Sequence, residues 1–195
     1  MTSRLRKLFF VLPAILTVLV LGACGESHSR VTTGTYAGES GENAPYLDVG
    51  PLVYEVQLSR QLNPADSEDR GYLQGLGAAA GTLEPGQEWF AVFIQVYNNT
   101  SSAHPATTAM TITDTQGNIY QPVVPEPVNQ YAYRAGVVRA KGQLPEPDTT
   151  AGVGPTQGAL LLYKIKIASL DNRPLEFKIT APENASESAT AELDV

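Results

Sequence analysis

The chain has 195 residues, with 20 Asp and Glu against 13 Lys and Arg, one cysteine, 17 glycines and 14 prolines. A net charge of −7 argues against nucleic acid or anionic lipid as an electrostatic partner. One cysteine rules out a disulfide framework, and the glycine and proline content opposes long helices.

In chain order, residues 1–23 carry the pattern of a secretory leader. Arg4, Arg6 and Lys7 precede an apolar run from Leu8 to Ala23, shorter than the roughly 20 residues a spanning helix needs. The run ends in Leu21-Gly22-Ala23-Cys24, which is similar to a bacterial lipobox. That resemblance implies alkylation of the Cys24 thiol by a diacylglyceryl group and cleavage before it. The two acyl chains would give stable anchoring where one chain would not. The competing reading is an ordinary secretory signal that happens to end near a cysteine. The expectation is a protein secreted and lipid-anchored to the outer face of the cell membrane through Cys24. The leader holds three of the 13 basic residues and no acid, so acids outnumber bases two to one in the mature chain.

Residues 24–44 form a polar Gly/Ser/Thr/Glu tether. Extended, it would reach roughly 65 Å at about 3.3 Å per residue; as a coil its span is nearer 25 Å. Residues 45–181 carry the body. Residues 182–195 (PENASESATAELDV) are polar and acidic and are expected to be a disordered tail.

Hydrophobicity in the body repeats every two residues. After a short segment at Tyr46–Val49, Leu52, Tyr54, Val56 and Leu58 alternate with Val53, Glu55, Gln57 and Ser59, as in a half-buried strand. Residues 88–98 (EWFAVFIQVYN) place Phe90, Val92, Ile94 and Val96 on one face. Trp89, Ala91, Phe93 and Tyr97 lie on the other, which suits a central strand with Trp89 as core aromatic. Residues 108–113 and 118–124 flank Asp114-Thr115-Gln116-Gly117, the signature of a hairpin. Ala159, Leu161, Tyr163, Ile165 and Ile167, then Leu175, Phe177 and Ile179, predict a second hairpin-like pair turning at Asp171-Asn172. About seven short strands with polar turns predict an all-β, two-sheet sandwich of immunoglobulin type without its disulfide.

These segments resemble a family of bacterial secreted immunoglobulin-like lipoproteins built on a domain of unknown function. The residues that carry the resemblance are Arg60-Gln61-Leu62-Asn63-Pro64, the run Trp89 to Asn98, Thr113-Asp114-Thr115-Gln116-Gly117-Asn118, Gln157 to Ile165 and Asn172-Arg173-Pro174-Leu175. The resemblance implies a β-sandwich and surface display, and brings no catalytic residues.

Chemistry-bearing motifs are sparse. Gly75-Leu76-Gly77-Ala78-Ala79-Ala80 matches a dinucleotide pattern but lacks the strand before it and the helix after it. His28 falls in the tether and His104 in a loop, so a Ser-His-Asp set has no base. A zinc site lacks ligands. Asp66, Glu68 and Asp69 are the weak candidates for a cation, without the glycine and terminal glutamate of an EF-hand. If the lipobox resemblance holds, the sequons at Asn98-Asn99-Thr100-Ser101 and Asn184-Ala185-Ser186 are expected to be coincidental.

Two connections, 61–86 and 125–156, are long for a compact domain. The second contains Tyr131, Tyr133 and Arg134, residue types that favour contact surfaces; tyrosines folded back over a sheet edge are the competing reading. The sequence therefore predicts a non-enzymatic binding module with no cofactor. Its membrane contact runs through Cys24, and its partner is an envelope protein or cell-wall component. The alternatives are a structural spacer, a ligand- or metal-handling lipoprotein marked by a deep pocket under the second connection, and a hydrolase using carboxylates among Asp66, Glu68, Asp69 and Asp114.

Overall fold

The computed structural model describes residues 46–193. The leader, Cys24, the tether with His28, and the last two residues lie outside the described residues.

The described elements run β1 (Tyr46–Val49), β2 (Leu52–Leu62), α1 (Ser67–Tyr72), α2 (Ala78–Gly81), β3 (Gln87–Tyr97), β4 (His104–Pro105), β5 (Met110–Thr113), β6 (Ile119–Tyr120) and β7 (Pro122–Val123). Then come β8 (Val137–Val138), β9 (Gln143–Leu144), α3 (Thr150–Val153), β10 (Ala159–Lys166), β11 (Leu175–Thr180) and β12 (Ser188–Leu193). Among the described residues seven strands have four or more residues; the seven expected from the sequence counted 118–124, which instead breaks into β6 and β7 in different sheets, and did not count β12. One sheet has the order β1-β2-β3-β10-β7, with β9 also on β3. The second has the order β12-β11-β5-β6, and β4 pairs β8 separately. All pairings between these strands are antiparallel.

The two sheets enclose one apolar core. Tyr54, Val56, Phe90, Val92, Ile94, Tyr163 and Ile165 from the first sheet meet Met110, Ile112, Leu175, Phe177, Ile179 and Ala191 from the second. Each large side chain buried here contributes roughly 1.5–3 kcal/mol. The all-β sandwich without a disulfide is thus present, and β3 is its doubly covered central strand. Gly158 opens β10 at φ +108°, and a Cβ there would stand 3.0 Å from the carbonyl oxygen of Ile94. Only glycine fits that approach.

Four expectations are corrected. A bulge at Gln57 shifts the register of β2, so that Val56 opposes Ile94 and Leu58 opposes Phe93. An extra residue reverses facing from that point on, which sends Leu58 and Leu62 to the outer face although Tyr54 and Val56 face the core. The residues 159–167 and 175–179 do not form a hairpin: β10 pairs β3 and β7, whereas β11 pairs β5 and β12 in the other sheet. The reason is burial. β10 is covered on both faces and belongs in the middle of a sheet, whereas β11 alternates strictly.

The tail is the third correction. Residues 188–193 form β12 along all of β11. Ala189, Ala191 and Leu193 are buried at alternate positions, a period of two that small side chains kept below the level of overall polarity. The fourth concerns Trp89. It is buried, but in a second cluster on the outer face of the first sheet with Leu62, Tyr72, Ala91, Phe93, Leu160 and Leu162. That face is covered by the two long connections, which make a third layer over the sandwich.

Candidate functional site

The first connection supplies half of this cover. Asp66 caps α1, its Oδ1 accepting from the amides of Glu68 at 2.8 Å and Asp69 at 3.2 Å. An N-cap of this kind is worth about 1 kcal/mol. Asp69 accepts from Arg60 at 2.5 Å and from the Asn63 amide at 2.7 Å. Burial works against its charge, but Arg60 and the amide outweigh it and hold the carboxyl below the usual aspartate range. Glu68 accepts from the Tyr72 hydroxyl at 3.3 Å, and Arg60 lies over the Tyr72 ring at 5.8 Å. These bonds fasten α1 to β2. Among the described residues no three His, Cys, Asp or Glu side chains converge as metal ligands.

Asp66 and Asp69 do share an open cleft of about 620 Å³ with Arg60, Gln87 and Glu88. Burial raises the Glu88 carboxyl, while Asp69 is lowered. Such a divergence is what acid–base chemistry uses. Here, however, both Asp69 oxygens are committed to Arg60 and Asn63. The Glu88 Oε1 is closed to solvent and has no hydrogen-bond partner, so that oxygen is sealed away from a substrate in the cleft. Asp114 is likewise occupied. It accepts from Ser169 at 2.6 Å, from the Asn118 side chain at 2.7 Å, and from the amides of Gln116 and Asn118 at 2.9 Å. Burial opposes its charge, and these bonds prevail, holding its carboxyl below the usual range.

The second connection is built around Asn129, which is buried. Its Nδ2 donates to the carbonyls of Tyr72 at 2.8 Å and Gln74 at 2.9 Å. Its Oδ1 accepts from the amides of Tyr131 at 3.0 Å and Ala132 at 3.1 Å. One side chain therefore joins both connections. Tyr131 packs edge-on against Tyr72, with ring centres 4.9 Å apart, and Tyr72 against Phe93 at 5.0 Å.

Tyr133 is buried between the sheets and donates to the carbonyl of Thr107 at 2.9 Å, whose amide donates to Tyr54 Oη at 3.0 Å. Burial and the neighbouring Tyr54 push the Tyr133 hydroxyl far above its usual range. Of the three predicted contact residues, only Arg134 is exposed. Its Nη2 donates to the carbonyls of Pro125 at 2.7 Å and Glu126 at 2.8 Å.

Beside Arg134 the chain leaves a groove of about 180 Å³. Its walls are Pro122, Val123 and Val124 from β7 and beyond, Tyr133 and Ala135 from the second connection, and Leu160 and Leu161 from β10. The surface is mainly apolar, and Val124 at its lip is 67% exposed. Singly exposed apolar side chains are ordinary on a protein surface, and Val128, Val137 and Val153 are as open to solvent; what sets Val124 apart is its place on the lining of this groove. Sequence reading missed both Val124 and Asn129. Val124 ends a strand-like run and looks like core; Asn129 looks like an ordinary turn residue.

The remaining motifs are structural. Asn98 is buried, its amide donating to the carbonyls of Ser102 at 2.7 Å and Val138 at 2.9 Å, so the sequon at this residue is closed. His104 pairs with Val138 in the β4–β8 ribbon. Gly77 precedes the single turn α2, and no strand leads into it.

No family model matches the chain, and no curated protein matches it. Among solved structures it is similar to the yjhA protein from Bacillus subtilis, with a TM-score of 0.51, 10% identity, and coverage of 77% of this chain and 97% of that one. It is also similar to an uncharacterized β-sandwich protein from Clostridium difficile 630, with a TM-score of 0.42, 9% identity, and coverage of 83% and 93%. A lipoprotein candidate, ycdA from Bacillus subtilis, matches with a TM-score of 0.44 and 10% identity over 80% of this chain and 39% of its own. At these identities the likeness concerns the fold.

Proposed function

We propose that this protein is a lipid-anchored, non-enzymatic binding module on the outer face of the cell membrane, held by Cys24 and engaging its ligand through the groove beside β7. The observation that carries the binding role is the groove, with the exposed Val124 at its lip and Arg134 at its rim. It is bounded by the second connection, where a ligand-handling lipoprotein would carry its pocket. The anchoring rests on the lipobox-like Leu21-Gly22-Ala23-Cys24 and the tether after it. The non-enzymatic reading is supported by the carboxylates Asp66, Glu68, Asp69 and Asp114, which respectively cap α1, accept from the Tyr72 hydroxyl, pair with Arg60 and close the turn at Asn118.

The reading is tested by placing a photo-cross-linking side chain at Val124 in intact cells, with Lys178 on the opposite sheet as control. The expected result is a discrete adduct from position 124 alone. Equal labelling from both positions, or none from 124, contradicts the assignment of the groove as the contact face and leaves a spacer role.

A further inference from the structure

We infer that the groove takes an apolar carboxylate, the acyl chain of a short fatty acid. The inference rests on the reading of this groove as the ligand-contacting face. Three observations lead to that chemistry. The first is size: at about 180 Å³ the space exceeds the roughly 150 Å³ of an apolar cavity that accepts benzene, and falls below the roughly 300 Å³ of a drug-sized pocket. The second is the wall. Val123, Val124, Ala135 and Leu161 offer contacts to methylene groups; the side-chain hydroxyls on the lining are those of Thr108 and of Tyr133, which already donates to the Thr107 carbonyl.

The third is charge. Arg134 stands at the rim with one nitrogen engaged by two carbonyls. Among the described residues no carboxylate lies within 4 Å of it; the ion pairs formed there belong to Arg60 and Arg139. A guanidinium has five N–H donors in a planar fork. The part not turned toward Pro125 and Glu126 suits a carboxylate. In a chain with an excess of acids, an anionic ligand needs such a local cation, because the overall field repels it.

A peptide strand laid along the edge fits less well. β7 is only two residues long and one of them is Pro122, which has no N–H to donate to an added strand.

The test is titration of the isotope-labelled full chain lacking its leader with sodium octanoate and separately with octan-1-ol, followed by amide NMR. Octanoate is expected to give saturable shifts at Val124, Ala135 and Leu161. Arg134→Gln should weaken octanoate roughly tenfold, the scale of one lost charge-assisted contact, and leave octan-1-ol within about twofold. Ala135→Phe, checked for an intact spectrum, should remove both. The inference is overturned if octanoate gives no saturable shift at the groove, or if Arg134→Gln affects acid and alcohol equally. Binding of a peptide with a C-terminal leucine in place of octanoate overturns it as well. Any of these can occur while position 124 still cross-links in cells, so failure here is distinct from failure of the binding role.

Discussion

Replacing Asn129 by alanine tests whether the two long connections are a structural layer. The side chain makes four hydrogen bonds, two to carbonyls of α1 and the turn after it and two to amides of its own connection. Each such bond contributes about 1 kcal/mol net, and a buried group left unpaired costs about 1–3 kcal/mol. Water reaches some of the four freed groups when the connection loosens, so the expected loss is about 3 kcal/mol rather than the full sum. In a domain of this size that corresponds to roughly 6–12 °C in Tm. Urea unfolding followed by tryptophan fluorescence suits the measurement, because Trp89 lies in the cluster that the connections cover. Asn129→Asp provides the comparison: it keeps the two accepting bonds and loses both donors, so it should also be destabilising. A loss below about 1 kcal/mol for Asn129→Ala would refute the argument and restore these connections to the status of free contact loops.

Two further outcomes are expected. Truncation after Glu183 removes β12 and with it the burial of Ala189, Ala191 and Leu193, at a cost of about 4 kcal/mol at the usual scale of apolar burial; an unchanged urea midpoint would show the strand to be dispensable. Two of the three perturbed carboxyls, Asp114 and Glu88, should give opposite pH signatures in thermal unfolding between pH 3 and 8. Asp114 is held below the ordinary aspartate value of about 3.9, so its contribution is present above that value and lost as pH falls through the folded pKa; the deficit of Asp114→Asn should shrink toward acid. Glu88 is raised, so its contribution is present below about 4.3 and lost as pH rises through the folded pKa. The advantage of Glu88→Gln should therefore grow toward neutral pH, and parallel curves for variant and wild type would contradict either assignment.

Much of the fold was legible in the sequence because burial on this sandwich has a period of two. β3 shows it best: every second residue from Phe90 to Val96 belongs to the inner core, and Trp89, Ala91 and Phe93 to the outer cluster. What escaped was pairing and local exceptions. Alternation in β10 and β11 gives the same signal whether two segments share a sheet or face each other across the core. The bulge at Gln57 reverses facing without altering composition. In β12 the inward residues include two alanines, too small to stand out against serine, threonine and glutamate.

The site was less legible, for a physical reason. Tyr131, Tyr133 and Arg134 have the composition of a contact loop, but whether a tyrosine is buried or displayed depends on what crosses it. Here Thr107 and Tyr72 do, from distant parts of the chain. Arg134 alone remained at the surface, and the groove beside it is made of β7, β10 and the second connection together. No local pattern announces such a junction.

The proposed function stands on a folded binding domain held at the membrane by the lipid on Cys24. The direct measurement is fractionation of cells expressing the full chain or Cys24→Ala, with incorporation of labelled fatty acid tracked in parallel. The expected result is that the wild-type protein is labelled and stays with the membrane. The variant should lose the label and appear in the culture fluid with its domain folded. Membrane retention of an unlabelled Cys24→Ala protein at the wild-type level would contradict it.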